Sequence, residues 1–499
     1  MKRSSIWYLI PPLLALLHGL WFLGTGPVDD DYICFRYAQN LVEGHGLVFN
    51  VGERFEGFST PLWVLMHALW QFLGGSSPDL SVGVGIASLA ACSGMLALHA
   101  LRKDRLPLAA LVVAAAPAMA WHAVAGLGTV LLSLCLLGAY LAQQQAEQER
   151  RPAWGAALWL AVTCLLRQEC VLFVVPFAIA QWRAGFRLPA ILPLAALVSW
   201  TLFRLGYYGR LLPITYHAKR LPLADDLAYG ARYFLAATRN FALPLWLVLA
   251  AWGGLRGEGF HARKSATLGA IVYVLYVVSV GGDFMVLSRF FIPALPLLLC
   301  LAFEALQGRR KVALALALVA SLAMQWDQVV DSELGSKLEA RATRLQSQQG
   351  FKQRWTRLGE HFKVTVPAGS RVAISPIGAF GWASELPLVD ILGLTNDSVL
   401  DVEPDLEFIS VKGHHRNNFD WILDQNPEYV ILGNGVRDQR GNIMFCPWER
   451  DFVVSLNEGT RFDQEYRQAF MEIPNDYLLD LFIRRDLPLP ARTQWVVQR

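Results

Sequence analysis

Three consecutive carboxylates, Asp29, Asp30 and Asp31, follow directly on the first long apolar segment of the chain. Ionised side chains at the edge of such a segment are costly to place there and commonly mark a functional site. A carboxylate in this position is suited to proton transfer or to holding a cation. These acids are therefore the first candidates for chemistry in the sequence.

The residues after the acids have the spacing of an amphipathic helix. Ile33, Arg36, Tyr37 and Asn40 share one face with Asp29 at intervals of three and four residues. This spacing predicts a helix over 29–43 that lies on the outer membrane surface, with its acidic end toward the first apolar segment. The alternative is that the acids only complement the helix dipole, although three in a row exceed what a helix start requires.

The composition is that of an integral membrane protein. Of 499 residues, 54% are apolar and 17% are charged, and the mean hydropathy is +0.34. The formal net charge is +3, and the basic residues fall in short clusters between apolar segments, so no nucleic-acid partner is expected. The seven cysteines contain no CxxC pair, which indicates neither a disulfide framework nor a zinc site.

Eleven apolar segments have roughly the length of a transmembrane helix. They are 6–25, 80–101, 107–121, 127–144, 153–166, 170–182, 188–205, 241–255, 266–281, 290–307 and 311–326. A further segment, 59–74, is brief and aromatic-rich, and we place it at the interface, so that outer interfacial helices occupy 29–74. This choice leaves every short basic loop on the cytoplasmic side, as the positive-inside rule requires. The prediction is a polytopic α-helical membrane domain over 1–326 with a cytoplasmic N-terminus.

The remainder, 327–499, is polar and predicts one soluble α/β domain on the outer side. We expect a charged helix over 335–361 and strands over 371–375, 428–432 and 493–497. The same parity places the acidic segment, the pair Arg167 and Glu169, the loop 206–240 and Asp283 on that side. Most polar residues that cytoplasmic charge does not explain thus converge on one face of the membrane.

A series of motifs runs in order along the chain. They are 29–33, 36–41, 43–50, 56–59, Trp121 with 126–127, 167–169, 208–209, 212–213, 216–219, 281–285, 289–290, 377–379, 390–395 and 413–415. Together they resemble the bacterial GT-C glycosyltransferases, most closely the terminal arabinofuranosyltransferases that cap cell-wall arabinan and their lipopolysaccharide and pilin glycosyltransferase relatives. The chain departs from this pattern at Gly128, at Gln168 with Cys170, and at 415–416. These departures bear on the donor sugar and the acceptor more than on the reaction class.

The resemblance implies an enzyme of the bacterial cytoplasmic (inner) membrane with a polyprenyl-phosphate sugar donor. It would transfer the sugar, arabinofuranose or another pentose, to a cell-envelope glycan or glycoprotein acceptor on the outer face. A donor of this kind keeps its tail in the bilayer and its phosphate at the interface, so acids and bases should meet at that depth. Asp29 and Asp30 are the predicted catalytic residues, which accept the hydroxyl proton or stabilise charge at the anomeric carbon.

The departing lipid phosphate gains most from positive charge as it separates. We predict contact with it for Arg167, His217, Lys219 and Arg289. The alternative for Lys219 and Arg289 is a cation that only snorkels to the interface. Asp283 is predicted to contact sugar hydroxyls, or else it ends a helix in water.

Five further residues complete the predicted substrate site: Arg36, Glu56, Glu169, Tyr216 and His414. Glu169 is expected to pair with Arg167, whereas Glu56 either contacts the sugar or pairs with an arginine. His414 belongs to the outer domain, which is expected to help bind the acceptor. Asp29 and Asp30 offer part of a shell for a divalent cation, so a metal is an open alternative.

Two other protein classes compete with the enzyme. A transporter or flippase for a lipid-linked sugar would carry inverted repeats and charges near the midplane, whereas here the polar residues gather at one face. A binding domain on a membrane anchor would need only one or two spans. Both comparisons favour the glycosyltransferase.

Overall fold

A computed structural model describes residues 5–256, 261–306, 309, 311–320, 352–406, 411–416, 418–432, 446, 449, 454, 459–473 and 477–495. The predicted domain boundary at 326/327, most of the predicted helix 335–361 and the end of the predicted span 311–326 lie outside these residues.

The N-terminal part of the chain is a bundle of helices. They are α1 (Ile10–Trp21), α2 (Asp29–Val42), α3 (Pro61–Phe72), α4 (Ser77–Arg102), α5 (Leu108–Ala115), α6 (Pro117–Ala125), α7 (Thr129–Gln148), α8 (Trp154–Leu166), α9 (Val171–Arg183), α10 (Arg187–Tyr208), α11 (Ile214–Lys219), α12 (Leu223–Phe241), α13 (Leu243–Gly254), α14 (Ala262–Ser279), α15 (Leu295–Ala305) and α16 (Lys311–Ala320). A 3₁₀ segment, Val286–Ala294, leads into α15. A helix lies in each predicted apolar segment, and the predicted helix over 29–43 is α2.

Three helical stretches among the described residues are long and apolar enough to cross a membrane: α4, α10 and Val286–Ala305. Two bent pairs, α5 with α6 and α12 with α13, raise the number to five if each pair is one span. The chain is thus a multi-pass membrane protein. The count of eleven spans and the interfacial position of 59–74 stay predictions.

Helix α4 approaches α6 closely because Gly85 has no side chain. A Cβ atom at Gly85 would lie 1.7 Å from the carbonyl oxygen of Ala123, whereas Gly83 in the same helix has no atom within 4 Å of that position. We expect Gly85→Ala to lower the free energy of unfolding by about 1–3 kcal/mol, because the backbone must move apart. Gly83→Ala, the matched control, should be neutral or stabilise the helix by up to about 1 kcal/mol. Thermal unfolding of both variants measures this, and equal Tm shifts would contradict the close approach.

The C-terminal unit, called the sheet unit below, is built on six strands. They are β1 (Val372–Ile374), β2 (Leu388–Asp390), β3 (Tyr429–Val430), β4 (Tyr466–Ile473), β5 (Tyr477–Arg484) and β6 (Thr493–Trp495), in the order β2-β1-β3-β5-β4-β6. The first three strands of this order are parallel and the remaining pairings are antiparallel. Helices α17 (352–365), α18 (Ile377–Ser384), α19 (Phe419–Asp424) and α20 (Arg461–Glu465) accompany the sheet. Strands β1, β3 and β6 lie where the sequence predicts strands, while β2, β4 and β5 are additional.

The sheet unit packs directly on α2. Tyr32 and Phe35 of α2 lie against Trp382 of α18, with ring centroids 5.3 and 6.4 Å away. The Asn50 side chain donates to the carbonyl of Leu388 at 2.8 Å and accepts from its amide at 3.0 Å. The acidic segment and the sheet unit therefore lie at the same end of the bundle.

Candidate active site

A main cavity of about 530 Å³ lies between α2, α10, α11, α14 and the sheet unit. Aliphatic and aromatic side chains form much of its wall, and those of α14 are Tyr273, Tyr276, Val277 and Val280. The charged residues of the wall are Asp30, Arg167, Glu169, Arg204, Lys219, Arg220, Asp283, Arg289 and Lys412. A concave apolar site with a few placed charges is typical of a small-molecule site, and this one suits an amphiphilic ligand.

Two arginines of the wall are held by carboxylates beside them. Arg167 Nε donates to Glu169 at 2.7 Å, which confirms the predicted pairing, and Arg289 forms an ion pair with Asp283 at 2.6 Å. Both guanidinium groups also pack on the ring of Phe290, at 4.9 and 5.0 Å from its centroid. Arg289 is 6% exposed, so it is not a cation snorkelling to water, and Asp283 does not end a helix in water.

Glu56 lies behind the wall of the main cavity. Its buried carboxylate pairs with Arg204 and accepts a hydrogen bond from Trp200 Nε1 at 3.2 Å. Burial raises the pKa of Glu56, and the Arg204 guanidinium opposes this shift. Of the two roles predicted for Glu56, pairing with an arginine is the one found here, and it fixes Arg204 at the cavity surface.

A second carboxylate behind the wall, Asp226, was not anticipated from the sequence. It is fully buried and pairs with two cations that line the cavity, Arg220 at 3.2 Å and Lys412 of the sheet unit. Lys412 can approach because Gly281 is small: a Cβ atom there would lie 2.8 Å from its ammonium nitrogen. Gly281 also has φ +82°, which favours glycine. In the sequence, Asp226 is an acidic residue in the first turn of a helix, where acids are common. It lies 186 positions before Lys412, so no local sequence pattern predicts their contact.

Asp30 and Lys219 differ from the other charged residues of the main cavity. Within the described part of the chain, neither forms an ion pair or a side-chain hydrogen bond. Both also line a second cavity of about 270 Å³, between the start of α2 and the sheet unit. Ile33 and Leu394 are shared by the two cavities as well. The two cavities therefore adjoin at an unpaired carboxylate and an unpaired ammonium group.

Asp29, the other predicted catalytic residue, is engaged by the sheet unit. Its carboxylate accepts the amide hydrogens of Gly378 at 3.1 Å and Ala379 at 2.8 Å, at the start of α18. A Cβ atom at Gly378 would lie 1.9 Å from the Asp29 carbonyl oxygen, so this contact also needs the glycine. The helix N-terminus holds a negative side chain favourably. These hydrogen bonds position α2 against the sheet unit, and Asp29 also lines the second cavity, so its catalytic role stays a prediction.

This burial gives Asp29 a measurable pH signature. Desolvation raises the pKa of Asp29 from 3.8 to about 6, against the opposing effect of its amide hydrogen bonds. Between pH 3.8 and about pH 6 the folded chain keeps a proton on Asp29 that the unfolded chain has released. The contribution of Asp29 to the free energy of unfolding therefore falls as the pH rises through this range. Asp29→Asn removes this titration. We expect the Tm of the wild type minus that of the variant to decrease from about pH 4 to about pH 6 and then to level off. A constant Tm difference would contradict the shift.

Asp31 connects α2 to the bundle beneath it. Its fully buried carboxylate accepts hydrogen bonds from Trp63 Nε1 at 2.7 Å, Ser81 Oγ at 2.5 Å and the amide of Leu127 at 2.9 Å. These donors come from α3, α4 and the loop before α7. The three acids therefore have different surroundings: Asp29 contacts the sheet unit and lines the second cavity, Asp30 lines both cavities, and Asp31 contacts the bundle.

Two predicted substrate-binding residues lie away from both cavities. Arg36 is buried, and its guanidinium group donates to the carbonyls of Phe49 at 3.4 Å and Glu385 at 2.9 Å. The hydrogen bond to Glu385 holds α2 against the sheet unit. His217 lines neither cavity, and burial with nearby Arg210 lowers its pKa below the usual value, so its ring is neutral at pH 7. A neutral ring outside the cavities does not suit the predicted contact with phosphate.

The other two predicted residues are placed at the cavities. Tyr216 lines the main cavity, 5.7 Å from the guanidinium carbon of Arg220. His414 lines the second cavity and packs edge-on against Phe284 at 5.0 Å. Burial lowers the pKa of His414 to about 4, with Lys219 adding to the shift, so the ring is neutral near pH 7. A neutral imidazole is suited to hydrogen bonds with hydroxyl groups.

The predicted alternative of a divalent cation at Asp29 and Asp30 stays open. Each Asp29 oxygen accepts one amide hydrogen, and the two carboxylates supply only part of the six or more oxygen ligands that Ca²⁺ and Mg²⁺ take. In the described residues, the grouping close enough to hold a metal is His99, Cys300 and Glu304, inside the bundle. We therefore derive no step through a metal.

Comparison with solved structures first identifies the class of fold. The chain is similar to ArnT from Cupriavidus metallidurans bound to undecaprenyl phosphate, with a TM-score of 0.52 and 13% identity over 78% of this chain and 86% of that one. The chain thus shares the fold of ArnT. A family model described as a domain of unknown function, DUF8728, matches residues 341–491.

Sequence relatives then narrow the resemblance. The terminal β-(1→2)-arabinofuranosyltransferase of Mycobacterium tuberculosis is 30% identical over 287 residues, 51% of this chain and 44% of the relative. The protein of the same name from Corynebacterium glutamicum is 27% identical over 351 residues, 58% of this chain and 50% of the relative. The chain spans about half the length of the curated relatives that it matches. The predicted resemblance to GT-C glycosyltransferases and terminal arabinofuranosyltransferases is confirmed.

Proposed function

We propose that this chain is a glycosyltransferase that moves a sugar, arabinofuranose, from a polyprenyl-phosphate donor to a glycan or glycoprotein acceptor of the cell envelope. The observation that carries the proposal is the meeting of two cavities at Asp30 and Lys219. A transferase must bring two substrates together at one acid–base site, and this arrangement does so. The names of the sequence relatives support the sugar, and the undecaprenyl phosphate bound to ArnT supports the lipid carrier.

The main cavity suits the donor. Its apolar wall, which includes Tyr276 and Val277 of α14, accommodates the prenyl chain, and its charged side chains accommodate the phosphate. Positive charge is in excess there, because Asp226 is shared by Arg220 and Lys412 and because Lys219 has no carboxylate partner among the described residues. Excess positive charge favours the leaving lipid phosphate, which carries more negative charge than the donor phosphodiester.

The second cavity suits the acceptor. It opens toward the sheet unit and is lined by the start of α2, by Phe284 and by His414. The neutral His414 ring can orient an acceptor hydroxyl without repelling Lys219. An acceptor in this cavity reaches Asp30 without entering the main cavity.

The proposed step runs through Asp30. The oxygen of the acceptor hydroxyl forms a bond to the anomeric carbon while the bond from that carbon to the phosphate oxygen breaks. The electron pair of the broken bond leaves with the lipid phosphate, which Lys219 stabilises, and the hydroxyl proton passes to the Asp30 carboxylate. Asp283 with Arg289 and Glu169 with Arg167 hold the sugar and the phosphate in register.

We place the reaction on the outer face of the bacterial cytoplasmic (inner) membrane, with the N-terminus in the cytoplasm and the sheet unit outside. The positive-inside pattern supports this orientation, since the basic loops lie at the other end of the chain's predicted spans. The alternative, a flippase for a lipid-linked sugar, is not favoured. A flippase needs charges along a path across the bilayer, whereas the polar residues of this sequence gather on one predicted face of the membrane.

A donor panel tests the proposal. Purified protein in lipid nanodiscs is incubated with polyprenyl-phosphate arabinofuranose, polyprenyl-phosphate hexoses and nucleotide sugars, with an arabinan oligosaccharide as acceptor. We expect transfer from the polyprenyl-phosphate pentose. Transfer from nucleotide sugars alone would contradict the proposed polyprenyl-phosphate donor. Movement of a lipid-linked sugar across the membrane without transfer to the acceptor would favour the flippase.

A further inference from the structure

A third cavity, of about 320 Å³, lies between the end of α7, the end of α13 and the start of α14. The start of α7 and the end of α14 border the candidate active site, and both helices span some 25 Å, so this cavity lies at the other end of the bundle. We call it the far cavity. It shares no lining residue with the other two.

Among the described residues that line the far cavity, basic side chains outnumber acidic ones. Arg256, His261 and Lys264 line it, and none of the three pairs with a carboxylate in the described part of the chain. A fourth basic residue, Arg263, is fixed by the buried Glu304 at 3.2 Å. Glu147 is the acidic residue of the lining. Because the first turn of α14 carries no acid, its exposed amides add to the positive potential.

A tryptophan, Trp252, indicates the depth of the far cavity in the membrane. Arg256 and Arg309 both pack on the Trp252 ring, at 4.8 and 5.0 Å from its centroid. Tryptophan with basic side chains around it is typical of the depth at which lipid headgroups meet the apolar core. The basic loops at this end are those that the positive-inside rule assigns to the cytoplasmic leaflet, where anionic lipids attract them.

We propose that the far cavity binds the phosphate headgroup of an anionic phospholipid. Basic pockets between transmembrane helices on this side of a membrane suit phosphodiester headgroups. Basic residues that only snorkel need no cavity between helices, whereas here three helices enclose them. This inference does not depend on the proposed sugar transfer, since it concerns the opposite end of the molecule.

The test measures lipid retention by the full chain. Protein purified in detergent is mixed with cardiolipin, phosphatidylglycerol or phosphatidylcholine and examined by native mass spectrometry. We expect the wild type to hold an anionic lipid and not phosphatidylcholine, and Arg256→Gln with Lys264→Gln to weaken this binding by about 30-fold. The matched control, Arg102→Gln with Lys311→Gln, removes two exposed basic residues outside the cavity and should bind as the wild type does.

Two outcomes would overturn the inference. Equal loss in both double variants would mean that the lipid follows general surface charge rather than the far cavity. Stabilisation of the wild type by inorganic phosphate as large as that by the anionic lipids would assign the cavity to a free anion. Thermal unfolding and sugar transfer by the double variant, both expected to match the wild type, show that the variant is folded.

Discussion

Asp30→Asn should lower the rate of sugar transfer by about 10²- to 10⁴-fold, because an amide can neither accept the hydroxyl proton nor stabilise charge at the anomeric carbon. Asp30 lines both cavities and has no hydrogen-bond or ion-pair partner among the described residues, so the substitution removes no packing contact. The variant should fold and bind donor nearly as the wild type does. Single-turnover transfer in nanodiscs, with donor binding measured separately, checks both parts of this expectation.

The adjacent Asp29→Asn is the matched control for this experiment. Its amide oxygen can still accept the backbone hydrogen of Ala379, so α2 should stay in place against the sheet unit. We expect Asp29→Asn to keep transfer within about tenfold of the wild type, since no proton moves through this residue. If Asp29→Asn abolished transfer while Asp30→Asn kept it, the assignment of the two acids would be reversed.

Much of the helical part could be predicted from the sequence because an apolar segment can be recognised from consecutive residues alone. Every predicted segment contains a helix, and the amphipathic spacing of 29–43 locates α2 to within a residue. The strands are predicted less completely: β2 is three residues long, and β4 alternates polar and apolar residues over Tyr466–Ile473. Strand β5 is an apolar run, Tyr477–Arg484, that is not among the predicted strands. Their register depends on contacts that local patterns do not encode.

The candidate site shows the same division. The sequence points to the acidic segment, but three neighbouring acids on a helix point about 100° apart. Only the packing of α2 against α3 and the sheet unit decides that Asp31 is buried while Asp29 and Asp30 line the second cavity. The cluster of Asp226 with Arg220 and Lys412 joins two distant parts of the chain and has no local signature. The pairing of Arg167 with Glu169 could be predicted because only Gln168 separates them in the sequence.

Lys219→Gln should lower kcat by about 10²- to 10³-fold, the usual cost of removing a group that stabilises developing negative charge. The other cations of the main cavity have carboxylate partners among the described residues, whereas Lys219 is held in place without one. Its ammonium is therefore available to the leaving phosphate. The loss should fall more on kcat than on donor binding, because the leaving group gains charge only as the glycosidic bond breaks.

Lys219→Arg and His217→Gln complete this test on the same short helix. Arginine keeps the charge and should recover much of the rate, whereas a lost structural contact would not return with it. His217 lines neither cavity, so His217→Gln should leave kcat close to that of the wild type. A donor with a better leaving group should be less sensitive to Lys219→Gln, since it needs less stabilisation of the departing phosphate. If Lys219→Gln lowered the rate equally with both donors, Lys219 would contribute to substrate binding only. Stabilisation of the leaving phosphate would then be assigned to Arg220 and Lys412.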